Sequence, residues 1–324
     1  MTPVAATDLV YVSDNQPGIS RRRCGRGFSY IAPDGTTIAR GPERARLEAL
    51  AVPPAYEDVW MCPLANGHLQ ATGRDARARK QYRYHPDWAE AQSQTKFDRL
   101  VEFGEVLPRI RRRVRRDLHE DVGERAFALA SAVMLIDRTA IRVGNPDYTQ
   151  ENGSYGAITL RRKHIMLDEN TIRMRYVAKG GKKVNRQLND RHLARILEQI
   201  SDLPGASLLK WMDADGKSQT LSSSSLNAYI AEAAGIDGVT AKTFRTWKGT
   251  LAAFEVALPG NATIKAMAEA AASELSNTAT IARKSYIHPA VIDRAGADPL
   301  EIEGYARNDL RLSEGRLLKF LETT

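Results

Sequence analysis

The chain has 324 residues, 43% of them hydrophobic, enough for two domains with their own cores, and no apolar run approaches the ~20 residues a membrane-spanning helix needs. The 47 basic against 39 acidic residues leave a net charge of +8, gathered at Arg21–Arg26, Arg74–Arg83, Arg109–Arg116 and Arg161–His164, a distribution that suits a phosphate backbone. Cys24 and Cys62 have neither metal-ligand nor disulfide spacing, and the N-terminus lacks a secretory pattern, so the expected compartment is the reducing cytoplasm.

Residues 1–87 read as a small domain of short antiparallel strands. Gly27–Ile38 alternates apolar residues about a Pro33-Asp34-Gly35 turn, a hairpin pattern. Pro42–Leu50 predicts a short amphipathic helix with proline in its first turn. Val59–Cys62 and His68–Thr72 pair about Ala65-Asn66-Gly67, and a basic-aromatic strand precedes Pro86. Residues 88–324 read as mainly helical. Ala89–Arg116 predicts a helix broken near Pro108, and Glu124–Val143 a second, stopped by Gly144-Asn145-Pro146. The pattern then changes to three strands, Ala157–Leu160, Thr171–Val177 and Lys183–Leu188, the last two joined by the tight turn Ala178–Lys182. Helices return at Leu193–Ile200, Ser223–Ala234, Ala241–Leu258 and Ile264–Ser276, with a short one carrying Tyr286. The fold class is α+β: a small antiparallel β-rich domain followed by a larger helical domain with a small three-stranded sheet.

Along this framework five residues occur in a telling order: Arg142, Lys179, Arg245, Asn277 and Tyr286. Two guanidinium groups can grip the non-bridging oxygens of a phosphodiester. An ammonium can protonate a leaving oxygen, and a tyrosine can be a covalent nucleophile. Each residue alone has a plainer reading. Arg142 would complement a helix dipole. Lys179 would be a solvated turn lysine, with Lys182 and Lys183 as rivals. Lys242, Arg245 and Lys248 would form a solvated helix face, and Asn277 a helix cap. Arg283 and Lys284 give Tyr286 an electropositive setting. For Arg109–Arg116 taken alone, a solvated face is the better reading. The five together are harder to dismiss.

These motifs resemble the type IB DNA topoisomerases, specifically the compact poxvirus-like branch with bacterial members. The resemblance is carried by Val52-Pro-Pro-Ala-Tyr56, Gly73-Arg-Asp-Ala-Arg-Ala-Arg-Lys-Gln-Tyr82, Ile141-Arg-Val-Gly144, Lys163-His164-Ile165, Val177-Ala-Lys179, Arg245-Thr246 and Lys284-Ser-Tyr286, and covers nearly the whole chain. It selects Lys179 over its lysine neighbours. It implies a C-shaped clamp on double-stranded DNA, in which Tyr286 forms a 3′-phosphotyrosyl link, Lys179 is the general acid, and Arg142, Arg245 and Asn277 stabilise the transition state. Supercoils are then relaxed by strand rotation, with no ATP, metal or other cofactor and no membrane, by a chain expected to act as a monomer at the nucleoid. DNA contacts are expected from Arg74, Arg77, Arg79, Lys80, Gln81, Tyr82 and Tyr84 in the first domain, and from Tyr148 and Lys242 in the second. Asn277 stands where viral members have histidine. It can donate an N–H but cannot exchange a proton. The alternatives are a tyrosine recombinase, whose histidine three residues before the second arginine is Lys242 here, and a non-catalytic DNA clamp.

Overall fold

The computed structural model describes residues 8–302 and 310–324, with the side chains of all but 92–95 and 147–148. The chain divides into two compact units, residues 1–95 and 96–324.

In the first unit, β1 (Ile19–Cys24), β2 (Gly27–Ile31), β3 (Glu57–Met61), β4 (Leu69–Arg74) and β5 (Lys80–Tyr84) form one antiparallel sheet in the order β2-β1-β3-β4-β5. Helix α1 (Pro42–Ala49) begins with its proline in the first turn and buries Leu47 against Ile19, Tyr30, Val59, Met61 and Ala71. The hairpin partner of β2 is β1, not the chain beyond Pro33-Asp34-Gly35, which adds only a bridge between Ile31 and Thr37. The first basic cluster is thus part of a strand, and its Arg21 is taken up internally, donating to the carbonyls of Val52, Pro53 and Tyr56 at 2.7–2.9 Å.

Residues 10–16 cross the sheet. His68 N donates to Val10 O and Val12 N to His68 Nδ1, Trp60 Nε1 reaches Gln16 O, and Thr72 Oγ1 reaches Asp14 Oδ2.

In the second unit, α2 (Pro86–Asp117, whose start lies in the first) buries Phe97, Leu100, Phe103, Leu107, Ile110 and Val114 along one stripe. That stripe continues on both sides of Pro108, and the helix runs through the proline without the expected break. Packing has outweighed the lost hydrogen bond. Helix α3 (Arg125–Thr139) is buried nearly all round and forms the centre. It ends earlier than expected, at a left-handed Ala140 (φ 51°) whose N–H returns to Ile136 O, so Arg142 lies beyond the helix and Gly144 is not its stop.

After α4 (Pro146–Asn152), residues Ala157–Thr159 form a 3-10 turn where a strand was expected. The three-stranded sheet is instead β6 (Ile165–Asp168), β7 (Thr171–Ala178) and β8 (Lys182–Asn189). The apolar run Ala157-Ile158 is buried by packing on α3 rather than by ladder pairing. Helix α5 (Arg191–Ser201) is capped by Asp190, and the pair β9 (Lys210–Met212) and β10 (Ser218–Thr220) closes over an Asp213–Gly216 turn. Then come α6 (Ser223–Ala234), α7 (Ala241–Ala257), α8 (Ile264–Leu275), α9 (Ala279–Tyr286), α10 (Pro289–Ile292) and α11 (Leu312–Glu322).

Helix α11 docks Leu317, Leu318, Phe320 and Leu321 into the core and carries the fully buried Glu314. Arg111 meets Asp137 at 2.9 Å and Glu314 at 2.8 Å, and Lys248 is buried near Asp137. Burial pushes both carboxyls up, but the Arg111 guanidinium more than reverses this and holds each below its usual range. In the cluster at 109–116, Arg111 is internal architecture and Arg113 and Arg116 pair with Asp117, while Arg109, Arg112, Arg115 and Arg116 are exposed, as a solvated face requires. Among the described residues no helix is long and apolar enough to cross a membrane.

Candidate active site

Two helix ends bring the site together. Helix α3 stops at Ala140, and α8 stops at Ser276, also left-handed (φ 50°), each one or two residues before a residue singled out above. Non-glycine residues adopt this backbone only when the surroundings hold them there, and here they are held. Arg245 of α7 donates to the carbonyls of both Ala140 and Leu275. Asn277 N then reaches back to Ala272 O, and Thr278 caps α9, leaving Asn277 locked between two helices.

The result is a direct meeting of residues 135 positions apart: Arg142 Nη2 donates to Asn277 Oδ1 at 2.6 Å. This fixes the amide's orientation, because only its oxygen can accept. Asn277 is 7% exposed, and its Nδ2 is buried without a hydrogen-bond partner. A buried donor left unpaired costs stability unless something else takes it up. Arg245 Nε is buried and unpartnered in the same way.

Behind Arg142 the chain is tied by Ala157 N to Arg142 O at 2.8 Å and Ile158 N to Val143 O at 2.9 Å. The approach requires glycine: a Cβ on Gly156 would lie 2.5 Å from Arg142 O and 2.4 Å from Gly144 N. The 3-10 turn that replaced the expected strand therefore serves to position Arg142.

Tyr286 ends α9 with its ring 5.1 Å from the Arg245 guanidinium. Its backbone is seated on α7 through Thr250 Oγ1, which donates to Tyr286 O at 3.1 Å, and Lys96 Nζ donates to Ser285 O at 2.9 Å. Gly249 permits this contact, since a Cβ there would come within 2.8 Å of Tyr286 O. Burial pushes the phenol up, but the positive charge of Arg245, then Arg142 and Lys242, pulls it below its usual value. The exposed Arg283 and Lys284, credited in the sequence reading, are not among these causes.

Lys179 is exposed beside Gly180 and Gly181, both at positive φ, at the tip of the β7–β8 hairpin. It shares a groove of about 210 Å³ with Arg142, Gly144, Asn145, Ser154 and Tyr155. Its rival Lys182 is occupied structurally, donating to Asn277 O at 2.8 Å. The expected basic face of α7 turns inward instead: Arg245 and Lys248 are 4% and 6% exposed, and only Lys242 reaches solvent.

The expected DNA contacts of the first unit fall on two sides of β5. Lys80, Tyr82 and Tyr84 share one face, with the two tyrosine rings stacked 6.1 Å apart. Gln81 lies on the other and donates to Asp75 Oδ2. Several cations there already have carboxylates: Arg79 with Asp75 at 2.6 Å, Lys80 with Asp14 at 2.6 Å, and Arg74 with Asp58 at 3.5 Å. The exposed Arg77 has its backbone N–H on Asp75 Oδ1. Tyr148 lies on α4, and its side chain is outside the described residues.

Sequence reasoning passed over Gly249, Thr250, Lys96 and Arg186. Gly249 carried a signal, a glycine inside an otherwise regular helix; the others carried none.

Comparison with known proteins bears on both units. The family described as Eukaryotic DNA topoisomerase I, catalytic core, matches residues 85–284, and Bacterial DNA topoisomerase IB, N-terminal domain, matches residues 27–75. The chain is 28% identical over 286 residues to the DNA topoisomerase 1B of Acanthamoeba polyphaga mimivirus, covering 83% of this chain and 85% of that protein. It is 28% identical over 125 residues to the vaccinia virus (strain Copenhagen) DNA topoisomerase 1B, 38% of this chain and 39% of the viral one. With the DNA topoisomerase 1 of Mycosarcoma maydis it shares 26% over 174 residues, 48% of this chain and 17% of that protein.

Proposed function

The chain belongs to the type IB DNA topoisomerases, as a poxvirus-like bacterial member, and we propose that Tyr286, Lys179, Arg142, Arg245 and Asn277 carry its chemistry. The reaction is transient cleavage of one strand of double-stranded DNA, through a 3′-phosphotyrosyl intermediate, with rotation relaxing supercoils before the strand is resealed. Tyr286 Oη, its proton passed to solvent, attacks the scissile phosphorus in line, the P–O5′ bond breaks, and Lys179 protonates the departing 5′-oxygen. Resealing is the reverse, with the 5′-hydroxyl as nucleophile and tyrosine as leaving group. The phosphodiester bond energy is kept in the tyrosyl ester, so no nucleotide is consumed.

Charge builds on the non-bridging oxygens, and Arg142, Arg245 and Asn277 present donors there in advance. The observation that carries this reading is Asn277: its oxygen is pinned by Arg142 while its N–H group is buried, oriented and unpaired. The lowered phenol of Tyr286 favours the attacking form. Arg142 and Arg245 would supply the positive charge that a metal ion could otherwise contribute. We assign the working form to a monomer at the nucleoid.

The test is relaxation of negatively and positively supercoiled plasmid with EDTA present and ATP absent. Both should relax, and Tyr286→Phe should abolish covalent capture while leaving DNA binding intact. A strict requirement for magnesium or ATP, or a persistent protein–DNA adduct in Tyr286→Phe, would refute the assignment.

A further inference from the structure

The carbonyls that Arg245 holds have immediate neighbours held by a second arginine. Arg186, on β8, donates through Nη1 to Thr139 O at 2.6 Å and to Glu274 O at 2.9 Å, and through Nη2 to the Glu274 carboxylate at 2.9 Å. Arg245 takes the next carbonyl of each segment, Ala140 and Leu275. Two guanidinium groups from different elements therefore staple the same pair of helix ends side by side. Immediately beyond those ends come the left-handed Ala140 and Ser276, and then Arg142 and Asn277. The arginines line one small, nearly filled cavity with Tyr176, whose phenol burial pushes up against the opposing charges of Arg245, Arg186 and Arg142.

The two staples differ in what else is asked of them. Arg245 is assigned to the scissile phosphate as well as to these two carbonyls, its buried Nε being the donor without a protein partner. Any shift of its guanidinium toward the phosphate would strain its hold on the segments bearing Arg142 and Asn277 unless a second group held them too. Arg186 has no such assignment, and its partners are all protein oxygens.

We propose that Arg186 is a positioning residue that keeps Arg142 and Asn277 in register while Arg245 engages the DNA. It touches neither substrate nor reacting atoms and acts through the main chain of Thr139 and Glu274. This rests on the roles proposed above for Arg142, Arg245 and Asn277.

Single-turnover cleavage of a duplex with one cleavage site, at saturating protein and well below the melting temperature, tests it alongside equilibrium DNA binding. Arg186→Gln should bind DNA as the wild type does yet cleave about 100-fold more slowly, the scale of loss when reacting groups are displaced by about an ångström. Arg186→Lys, which keeps the charge but not the planar fork that spans both carbonyls and the Glu274 carboxylate, should fall between them, and it serves as the test protein if the glutamine variant does not fold. Because Arg186 acts through Asn277, combining either substitution with Asn277→Ala should cost less than the product of the two effects. Combination with Lys179→Ala should be close to multiplicative.

A folded Arg186 variant that cleaves at the wild-type rate, whatever its melting temperature, overturns the proposal, as does full multiplicativity with Asn277→Ala. If Asn277→Ala itself cleaves normally, the reading of the site fails. If Asn277→Ala is slow and the Arg186 variants are fast, only the staple fails.

Discussion

Replacing Asn277 separates a catalytic amide from a structural one. In the DNA-free protein, Asn277→Ala removes two things of opposite sign. It deletes a 2.6 Å hydrogen bond from a charged arginine, worth about 1.5–3 kcal/mol, and a buried unpaired N–H whose desolvation costs about 1–3 kcal/mol. The main-chain bond from Asn277 N to Ala272 O survives, so the helix end keeps its closure and the melting temperature should move little. The transition state is affected differently: it loses one pre-oriented donor, about 2–4 kcal/mol, which is about 30- to 900-fold in rate at 1.36 kcal/mol per tenfold. Asn277→Asp sharpens the contrast. The carboxylate still accepts from Arg142 and gains an ion pair, yet it has no proton to donate and sets a negative charge against the phosphate. That variant should melt no lower than wild type and cleave more slowly than the alanine. Asn277→His, which restores an N–H, should stay active. Single-turnover cleavage and thermal melting on the same preparations decide the matter. Normal cleavage by Asn277→Ala with a lowered melting point would show the side chain to be a cap and refute the reasoning.

Lys179→Ala should cleave a natural phosphodiester very slowly and recover most of its rate on a 5′-bridging phosphorothiolate, whose thiolate leaves without a proton; equal rescue of Arg142→Ala would contradict the roles assigned. Because burial raises the Tyr286 phenol and Arg245, Arg142 and Lys242 lower it overall, the cleavage rate at saturating DNA should rise with pH and level off below pH ~10. Lys242→Gln removes a lowering charge, so its profile should shift to higher pH and its deficit shrink as pH rises; an unchanged profile would mean phenol ionisation does not govern the rate. Asp14→Asn should free Lys80 for phosphate, tightening DNA binding and steepening the slope of log K against log salt by about 0.9. An unchanged slope would mean that Lys80 does not meet the backbone.

What the sequence revealed depended on how local each signal was. Helix α6 ends at Gly235 and α1 opens on Pro42, as their end residues require. The β7–β8 hairpin is explicit in its glycines. The misreadings came where tertiary contacts overrule local preference. Pro108 sits in an unbroken helix because a buried stripe continues past it. Ala140 ends α3 ahead of Gly144 because Arg245 holds its carbonyl, and Ala157-Ile158 is apolar for packing rather than pairing. At the site, residue identity and order nominated Arg142, Lys179, Arg245, Asn277 and Tyr286 as candidates. The Arg142–Asn277 hydrogen bond across 135 residues was beyond any local pattern. So was the source of the Tyr286 shift, which lies on α7 and near α3 rather than beside it in sequence.

The buried cluster of Arg111, Asp137, Lys248 and Glu314 has a bearing on how the protein is made. A ribosome delivers Arg111 and Asp137 early, and Glu314 follows Arg111 by 203 residues. Until that carboxylate is available, two cations face one anion in the forming core, an imbalance that costs several kcal/mol when desolvated. Every residue assigned to strand cleavage precedes Glu314, so a nascent chain can hold the whole cutting apparatus in sequence while lacking the charge that lets its core close. A chain cut before α11 would therefore lack the Glu314 carboxylate that Arg111 meets in the buried core.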